Sequence, residues 1–559
     1  MSRLLALGLL LCALLPSSPA KAGIDPPPAS NVLYGFYFSN ITLTAAAPGP
    51  NYYVIGDVFI QPGVTLTIEP GVTVYFAANH DTLNGGEFFN DSEILCDGGN
   101  LIAIGSEADS VHFKSTATTP GKGDWGQISL ANGSQGIFRY CSFSFGNRGI
   151  LSTSSGALTI ENCRISHIQS QGLNVTNSPL LVRDCVFDDL NSAAIAVASL
   201  SATISRNTIT NTPDWGFTAS FLQQSNIDSN NIHDAGGAIR LLQPSAASSI
   251  RWNKLTNIVT TGVQISGGSS PQTVMSDTVS YAEKGIEIVN GASPDTVRFC
   301  NVSHCNYGIY LGLPKGVTIQ NCLVYRSLQG GLYAYSTNNG PCSYSVFYST
   351  FTTNGGNGLH SFASFSGSPI SPVIKNCIVV NSAQYGILSD GYSFPDIRYV
   401  DVWNNAYGGY LGMSCTQACY SINPLFVNSG TDDYHLLPNS PLKVLGEGGT
   451  QMGRYGPEQG VVSGVDEDFA EISPAYALPN SPNPFSRSTA ITVMAKESVM
   501  AALEVFSLNG QVVRRVGSIP LQQGANVVPF EREGLGPGVY FYRISGPGFK
   551  QTRKFVVTN

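Results

Sequence analysis

The chain has 559 residues, of which only 12% are charged; 29 basic and 37 acidic side chains leave a formal net charge of −8. An acidic balance with no basic tract, and no interleaving of basic with aromatic residues, excludes a nucleic-acid partner. Low charge with 60 glycines and 32 prolines suits strands and tight turns, and no run of apolar residues reaches the roughly 18 needed for an integral membrane segment.

In chain order, Arg3, an apolar run from Leu4 to Leu15 and small residues at Ala20 and Ala22 read as a secretory signal over residues 1–22. Of the 12 cysteines, Cys12 leaves with that signal, and an odd remainder is not a disulfide framework. Cys415 and Cys419 are the pair best placed to bond. The 7 histidines assemble no zinc signature, so no metal site and no cofactor is identified. From Val58 to Phe76 the chain alternates strongly around two Pro-Gly turns, as opening strands of a larger body would.

An internal period then dictates the fold. Thr159-Ile-Glu-Asn-Cys-Arg-Ile165 aligns with Thr318-Ile-Gln-Asn-Cys-Leu-Val324 and Val373-Ile-Lys-Asn-Cys-Ile-Val379. The position of Cys163 recurs as Cys141, Cys185, Asn207, Asn230, Asn253, Asp277, Cys300, Cys322, Ser345, Cys377 and Val400, at spacings of 22–24 with one of 32. The long interval predicts a loop inserted at 351–368. Apolar lines keep step three residues earlier (Phe138, Ile160, Val182, continuing through Cys342) and two residues later (Phe143, Ile165, Phe187, continuing through Phe347). A third follows a recurrent small residue, as in Gly308-Ile309. Each unit therefore holds about three short strands, and stacked coils bury a continuous core that one coil could not. The glycines are expected to serve turn geometry, and the Asn and Cys position to form an internal ladder. Val, Ile, Thr and Asn alternating at period two exclude helical repeats, and the unit is too short for a propeller blade.

This repeat resembles the right-handed parallel β-helix superfamily that includes pectate lyases, over residues 30–455. The resemblance implies an all-β fold, a right-handed parallel β-helix, and no single activity, because lyases, hydrolases, epimerases and adhesive proteins share it. Residues 456–477 read as a linker with an acidic run at Asp466 to Asp468. Residues 478–559 read as a small immunoglobulin-like β-sandwich with Leu503, Val505, Val539, Phe541 and Phe555 inward. Leu478-Pro-Asn-Ser-Pro-Asn-Pro-Phe485, Val505 to Val513 and Gly536 to Arg543 resemble C-terminal domains of type IX secretion sorting, which are related to a flagellar-hook assembly domain. That resemblance implies a secreted or bacterial cell-surface protein that meets its secretion machinery through this domain.

Two sets of side chains could carry function. On the outside of one strand the register gives Asp228 and Arg251, with Asp234 just beyond the same strand region, so that neighbouring coils are expected to bring Asp228 or Asp234 near Arg251 on one external face. Carboxylates and a guanidinium so placed suit a polysaccharide lyase, with calcium possible, or a glycoside hydrolase. The residue before the recurrent glycine is Trp215, Lys284, Tyr307 or Tyr385 in four coils, and exposed rings beside polar groups suit sugar stacking. The reading these support first is binding of a polysaccharide or surface glycan, or adhesion. A lyase or hydrolase and a noncatalytic envelope scaffold are the alternatives.

Overall fold

The computed structural model describes residues 31–457 apart from 47–50, 199, 291–293 and 338–339, and residues 475–558 apart from 478–479, 481–482, 496–497, 508–510 and 548. The secretory signal and most of the linker expected from the sequence lie outside the described residues. The chain divides into two compact units, residues 1–456 and 457–559.

The first unit is a parallel β-helix of three ladders. Sheet 1 has 15 strands, from Ile41–Leu43 to Asp396–Arg398. Sheet 2 carries the line Phe143, Ile165 and Phe187, and sheet 3 the line Ile150, Leu173 and Ile195. These two ladders merge where Thr208–Ser220 and Asn231–Leu242 run from one into the other without a break. In-register parallel pairing superposes equivalent residues, so Phe138, Ile160, Val182, Phe143, Ile165 and Phe187 are all fully buried in one continuous core.

The corner between sheets 1 and 2 is a single residue in the left-handed region. Tyr140, Asn162, Asp184, Arg206, Ser229, Trp252, Ser276, Phe299, Asn321, Tyr348, Asn376 and Tyr399 all have φ between 45° and 57°. The next residue is the ladder position, and from Cys141 to Asn253 its backbone N–H donates to a side chain of the following coil. Cys141 and Cys163 each donate to the next thiol at 3.4 Å; Cys185, Asn207 and Asn230 donate to the next amide oxygen at 3.0, 3.1 and 2.9 Å. The Asn207, Asn230 and Asn253 amides donate in turn to the carbonyls of Val182, Ile204 and Ile227. Along Asn207, Asn230 and Asn253 the ladder thus supplies partners for its own buried amides.

Several sequence expectations change. The ladder residue after Cys322 is Ser349, whose hydroxyl accepts from the Cys322 N–H at 3.1 Å, and not Ser345. Ile319 pairs with Val346 and Val324 with Phe351, so Cys342 and Phe347 are not on the apolar lines, and Phe351 is core rather than loop. The extra residues sit in two successive coils, at 337–342 and 364–372, between sheets 3 and 1. The misplacement is by four residues, an even number, so in–out alternation cannot reveal it. The recurrent glycines serve close approach rather than turn geometry. A Cβ on Gly308 would lie 2.2 Å from Val324 Cγ1 and 2.6 Å from the Gly331 carbonyl oxygen.

Cys415 and Cys419 are disulfide-bonded. Beyond them, Phe426–Asn428 and Asp433–Leu436 pair antiparallel, and the chain then turns back along the earlier coils.

The second unit is a sandwich of a three-stranded and a four-stranded antiparallel sheet. Leu503, Val505 and Phe555 are buried as expected. In Gly538–Gly546 the inward residues are Tyr542 and Ile544, so Val539 and Phe541 face outward instead. Aromatic and β-branched residues occupy both faces of that strand, which leaves its phase undetermined by hydropathy.

Candidate functional site

Stacking turns a position within one coil into a column across coils, spaced about 4.8 Å apart. On the outer face of sheet 3 one column reads Arg240, Gln264, Glu287, Tyr310, Tyr333 and His360. Beside it runs Lys284, Tyr307 and Gly330, and on the other side Gly312, Tyr335, Phe362 and Asp390. Four tyrosines therefore meet on one face. Ring centroids are 5.5 Å apart for Tyr310–Tyr333 and Tyr307–Tyr333, 5.7 Å for Tyr310–Tyr335 and 6.3 Å for Tyr333–Tyr335. Gly312 makes room, since a Cβ there would come within 2.9 Å of the Tyr335 hydroxyl.

Polar groups frame the rings. Lys284 Nζ lies 4.4 Å above the Tyr310 ring and 2.5 Å from Glu287 Oε1, while Gln264 Nε2 donates to Glu287 Oε2 at 2.6 Å. At the other end His360 stands edge-on to Tyr333 at 5.0 Å and pairs with Asp390 at 2.9 Å. Burial, with neighbouring Tyr335, Tyr333 and Glu287, pushes the Tyr310 phenol up to about 12. Burial also lowers His360 against the pull of Asp390, so its imidazole is neutral at neutral pH.

Of the glycan-binding residues expected from the sequence, Lys284 and Tyr307 lie on this face. Tyr385 is on the same sheet further along, edge-on to Tyr407 at 5.8 Å. Trp215 is only 9% exposed; Arg240 stacks over it at 4.7 Å, and Gly237 lies against its ring. Sequence reasoning missed Tyr310, Tyr333, Tyr335 and His360. Their signal is alternation: Tyr310 follows buried Ile309, and Tyr333 and Tyr335 flank buried Ala334.

The acid–base candidates do not share one face: Arg251 meets Asp228, while Asp234 lies apart with His233 and Asn257. Asp228 and Arg251 meet at 3.5 Å on sheet 1, where burial holds the Asp228 carboxyl above its usual range against the pull of Arg251 and Arg206. Arg251 also stacks on Trp252 at 4.6 Å. Asp234 stands past the sheet 2 segment that begins at Asn231, in the left-handed region, with His233 at 2.7 Å and Asn257 at 3.2 Å. Hydrogen bonds from those two hold its carboxyl low.

A second group of carboxyls, also unforeseen, fixes the segment 77–93. Asp81 accepts from the N–H groups of Asp57, Leu83 and Gly85, and Glu93 from those of Glu87 and Phe88. Asp57 and Glu93 are fully buried, and burial chiefly pushes them up to about 8 and about 7. Such carboxyls could serve acid–base chemistry by their protonation, but a substrate has no access to them, and their hydrogen bonds serve the loop. Among the described residues no group of three or more His, Cys, Asp or Glu is arranged to hold a metal ion, and no helix is long and apolar enough to cross a membrane.

No curated protein matches the sequence. Among solved structures, the periplasmic alginate epimerase AlgG is 12% identical, covering 61% of this chain and 84% of its own with a TM-score of 0.40. The A-module of the mannuronan C-5 epimerase AlgE6 of Azotobacter vinelandii is 12% identical over 64% of this chain and 91% of its own, with a TM-score of 0.29. Pectate lyase Pel9A is 11% identical over 71% and 88%, with a TM-score of 0.28. At such identities and scores these likenesses carry no argument about activity. A family model described as a secretion system C-terminal sorting domain matches residues 481–558, which marks an exported protein, secreted or held at the cell surface. A second, described as a right handed beta helix region, matches residues 126–279 and 242–406, together more than half of the chain. The chain thus belongs to the right-handed parallel β-helix family and ends in a secretion-system sorting domain.

Proposed function

We propose that this exported β-helix binds a glycan, at the cell surface or in the medium, through the tyrosine face of sheet 3. The observation that carries the reading is the convergence of Tyr307, Tyr310, Tyr333 and Tyr335 beside the Lys284–Glu287 and His360–Asp390 pairs. Aromatic side chains combine a large apolar surface with a polar tip, which suits the mixed apolar and hydroxyl surface of a sugar. The rigid ladder beneath holds them in place before any ligand arrives, which lowers the ordering cost of binding.

A polysaccharide array probed with the mature protein tests this directly. Binding to at least one polymer is expected, and Tyr310→Ala with Tyr333→Ala should weaken it about tenfold or more, since ring contacts contribute roughly 1 kcal/mol each. No binding to any plant, host or bacterial glycan would leave the scaffold reading in its place. New reducing or unsaturated ends on a bound polymer, with or without calcium, would turn the reading to an enzyme.

A further inference from the structure

We infer that the tyrosine face selects neutral polysaccharides over acidic ones, because the lysine that faces its rings is already neutralised by a carboxylate of the same face. The inference rests on the glycan-binding reading above and adds a substrate class to it. An anionic chain needs an unpaired cation, and Lys284 does not supply one. Its ammonium is 2.5 Å from Glu287 Oε1, and the Glu287 side chain is only 6% exposed. The other carboxylate oxygen accepts from Gln264, so both oxygens are held and the ion pair is fixed in one geometry. The remaining face of that ammonium looks onto the Tyr310 ring, whose quadrupole takes a further share of its charge.

At the opposite end the balance leans the same way. His360 is held neutral by burial, which leaves Asp390, 45% exposed, as a net negative charge at the rim. The nearest further cation in the column is Arg240. It stands two coils before Glu287, stacks on Trp215 and donates through Nε to Thr218. That places it outside the group of rings. An acidic polymer laid on the tyrosines would meet the exposed Asp390 at one end and the neutral Lys284–Glu287 pair at the other, with no free positive charge between them. A neutral polymer meets rings and hydrogen-bonding groups and incurs no like-charge repulsion.

The experiment compares affinity gel electrophoresis of the mature protein in neutral galactan, xylan and β-glucan gels and in polygalacturonate and alginate gels, at low and high salt. Retardation by at least one neutral polymer is expected, insensitive to salt and lost in Tyr333→Ala. Glu287→Gln releases the Lys284 charge and should raise the acidic-to-neutral affinity ratio about tenfold at low salt, with the gain screened at high salt. Asp390→Asn removes the rim charge without touching the Lys284 pair and should raise the same ratio, which keeps the test open if Glu287→Gln does not fold. Preferential, salt-sensitive retardation by an acidic polymer that Tyr333→Ala abolishes would overturn the neutral selectivity and leave the glycan-binding reading standing. Retardation by neither class would overturn both. Neutral binding with no rise of the ratio in either folded variant would also overturn the charge argument.

Discussion

Replacing Asp277 with asparagine is expected to stabilise the β-helix at neutral pH and to leave it nearly unchanged at about pH 4. Asp277 is fully buried at the ladder position, accepting from the backbone and side-chain amides of Asn253 through Oδ1, while Oδ2 has no hydrogen-bond partner. Burial raises its pKa from 3.8 to about 7, against the pull of those two hydrogen bonds. The sign follows from proton binding. Below the unfolded pKa both states hold the proton, and the folded state keeps its full stability. As pH rises from there toward the folded value only the unfolded chain releases its proton, so stability falls by about 1.4 kcal/mol per pH unit and levels off above the folded pKa. The fall from this group is on the order of 4 kcal/mol.

Asparagine cannot ionise, so that fall vanishes in Asp277→Asn. The amide also has a place to go, since Asn207, Asn230 and Asn253 each donate to a carbonyl of the preceding coil at 3.1, 2.9 and 3.1 Å. Urea unfolding of both proteins from pH 4 to pH 8 measures the effect. A shallower pH dependence and a higher midpoint at pH 7 are expected in the variant. Equal slopes, or a variant less stable at pH 7, would show that Asp277 is not protonated in the folded chain. Asp57, Glu93, Asp295 and Asp401 are raised in the same direction, so a residual slope of the same sign should persist in the variant.

What could be read from the chain was whatever repeats at fixed spacing with a side-chain consequence. The apolar lines and the Cys–Asn ladder fall in that class, because coil-to-coil stacking forces like residues onto like positions. The left-handed corner does not. Its occupants include Tyr140, Arg206, Trp252, Phe299 and Asn321, which share a backbone angle but no side-chain chemistry. The insertion could be counted but not located, because a shift of four residues preserves alternation. Lys284 and Tyr307 were singled out through their neighbouring glycines. Tyr310, Tyr333 and Tyr335 stayed hidden because a tyrosine alternating with buried residues looks like any other outward position until adjacent coils are brought into register. Trp215 follows the same sequence rule as Tyr307, yet Arg240 and Gly237 cover it. The buried carboxyls around Asp57 belong to the irregular segment 77–93, where no period exists to align them.

Ending the chain at Gly456 should leave an intact β-helix, whereas ending it at Ile422 should open its C-terminal coils. The difference lies in the segment from Asn423 to Gly456, which folds back as a strap over the outside of sheet 2 and the corner beside it. Leu436, Leu442 and Met452 pack on Ile378 and Val380, with Trp403, Tyr420, Ile422, Phe426 and Leu445 around them. The strap then bonds to successively earlier coils. Glu447 N–H donates to Asn376 at 2.8 Å and Arg454 N–H to Thr350 at 2.9 Å; Asn321 donates to the Gly456 carbonyl at 2.8 Å, and Arg454 Nη2 to the Phe299 carbonyl at 3.0 Å. Losing three buried apolar side chains and uncovering two more costs on the order of 10 kcal/mol, at about 1.5–3 kcal/mol each. Because each coil of a solenoid leans only on its neighbours, that loss should fray the last coils while earlier ones persist. Residues 457–559 have a core of their own in Phe485, Ile491, Val505, Phe530, Tyr542 and Phe555, so removing them should withdraw no support from the β-helix. Limited proteolysis and circular dichroism distinguish the two truncations: strand signal and resistance retained at Gly456, and trimming toward residue 376 at Ile422. Loss of the fold in the Gly456 chain would sink the proposed independence of the two units, and a fully resistant Ile422 chain would sink the role of the strap. In the native host the Gly456 chain should accumulate in the periplasm while the full chain reaches the surface or medium. Equal delivery of the two would reject sorting by the terminal sandwich.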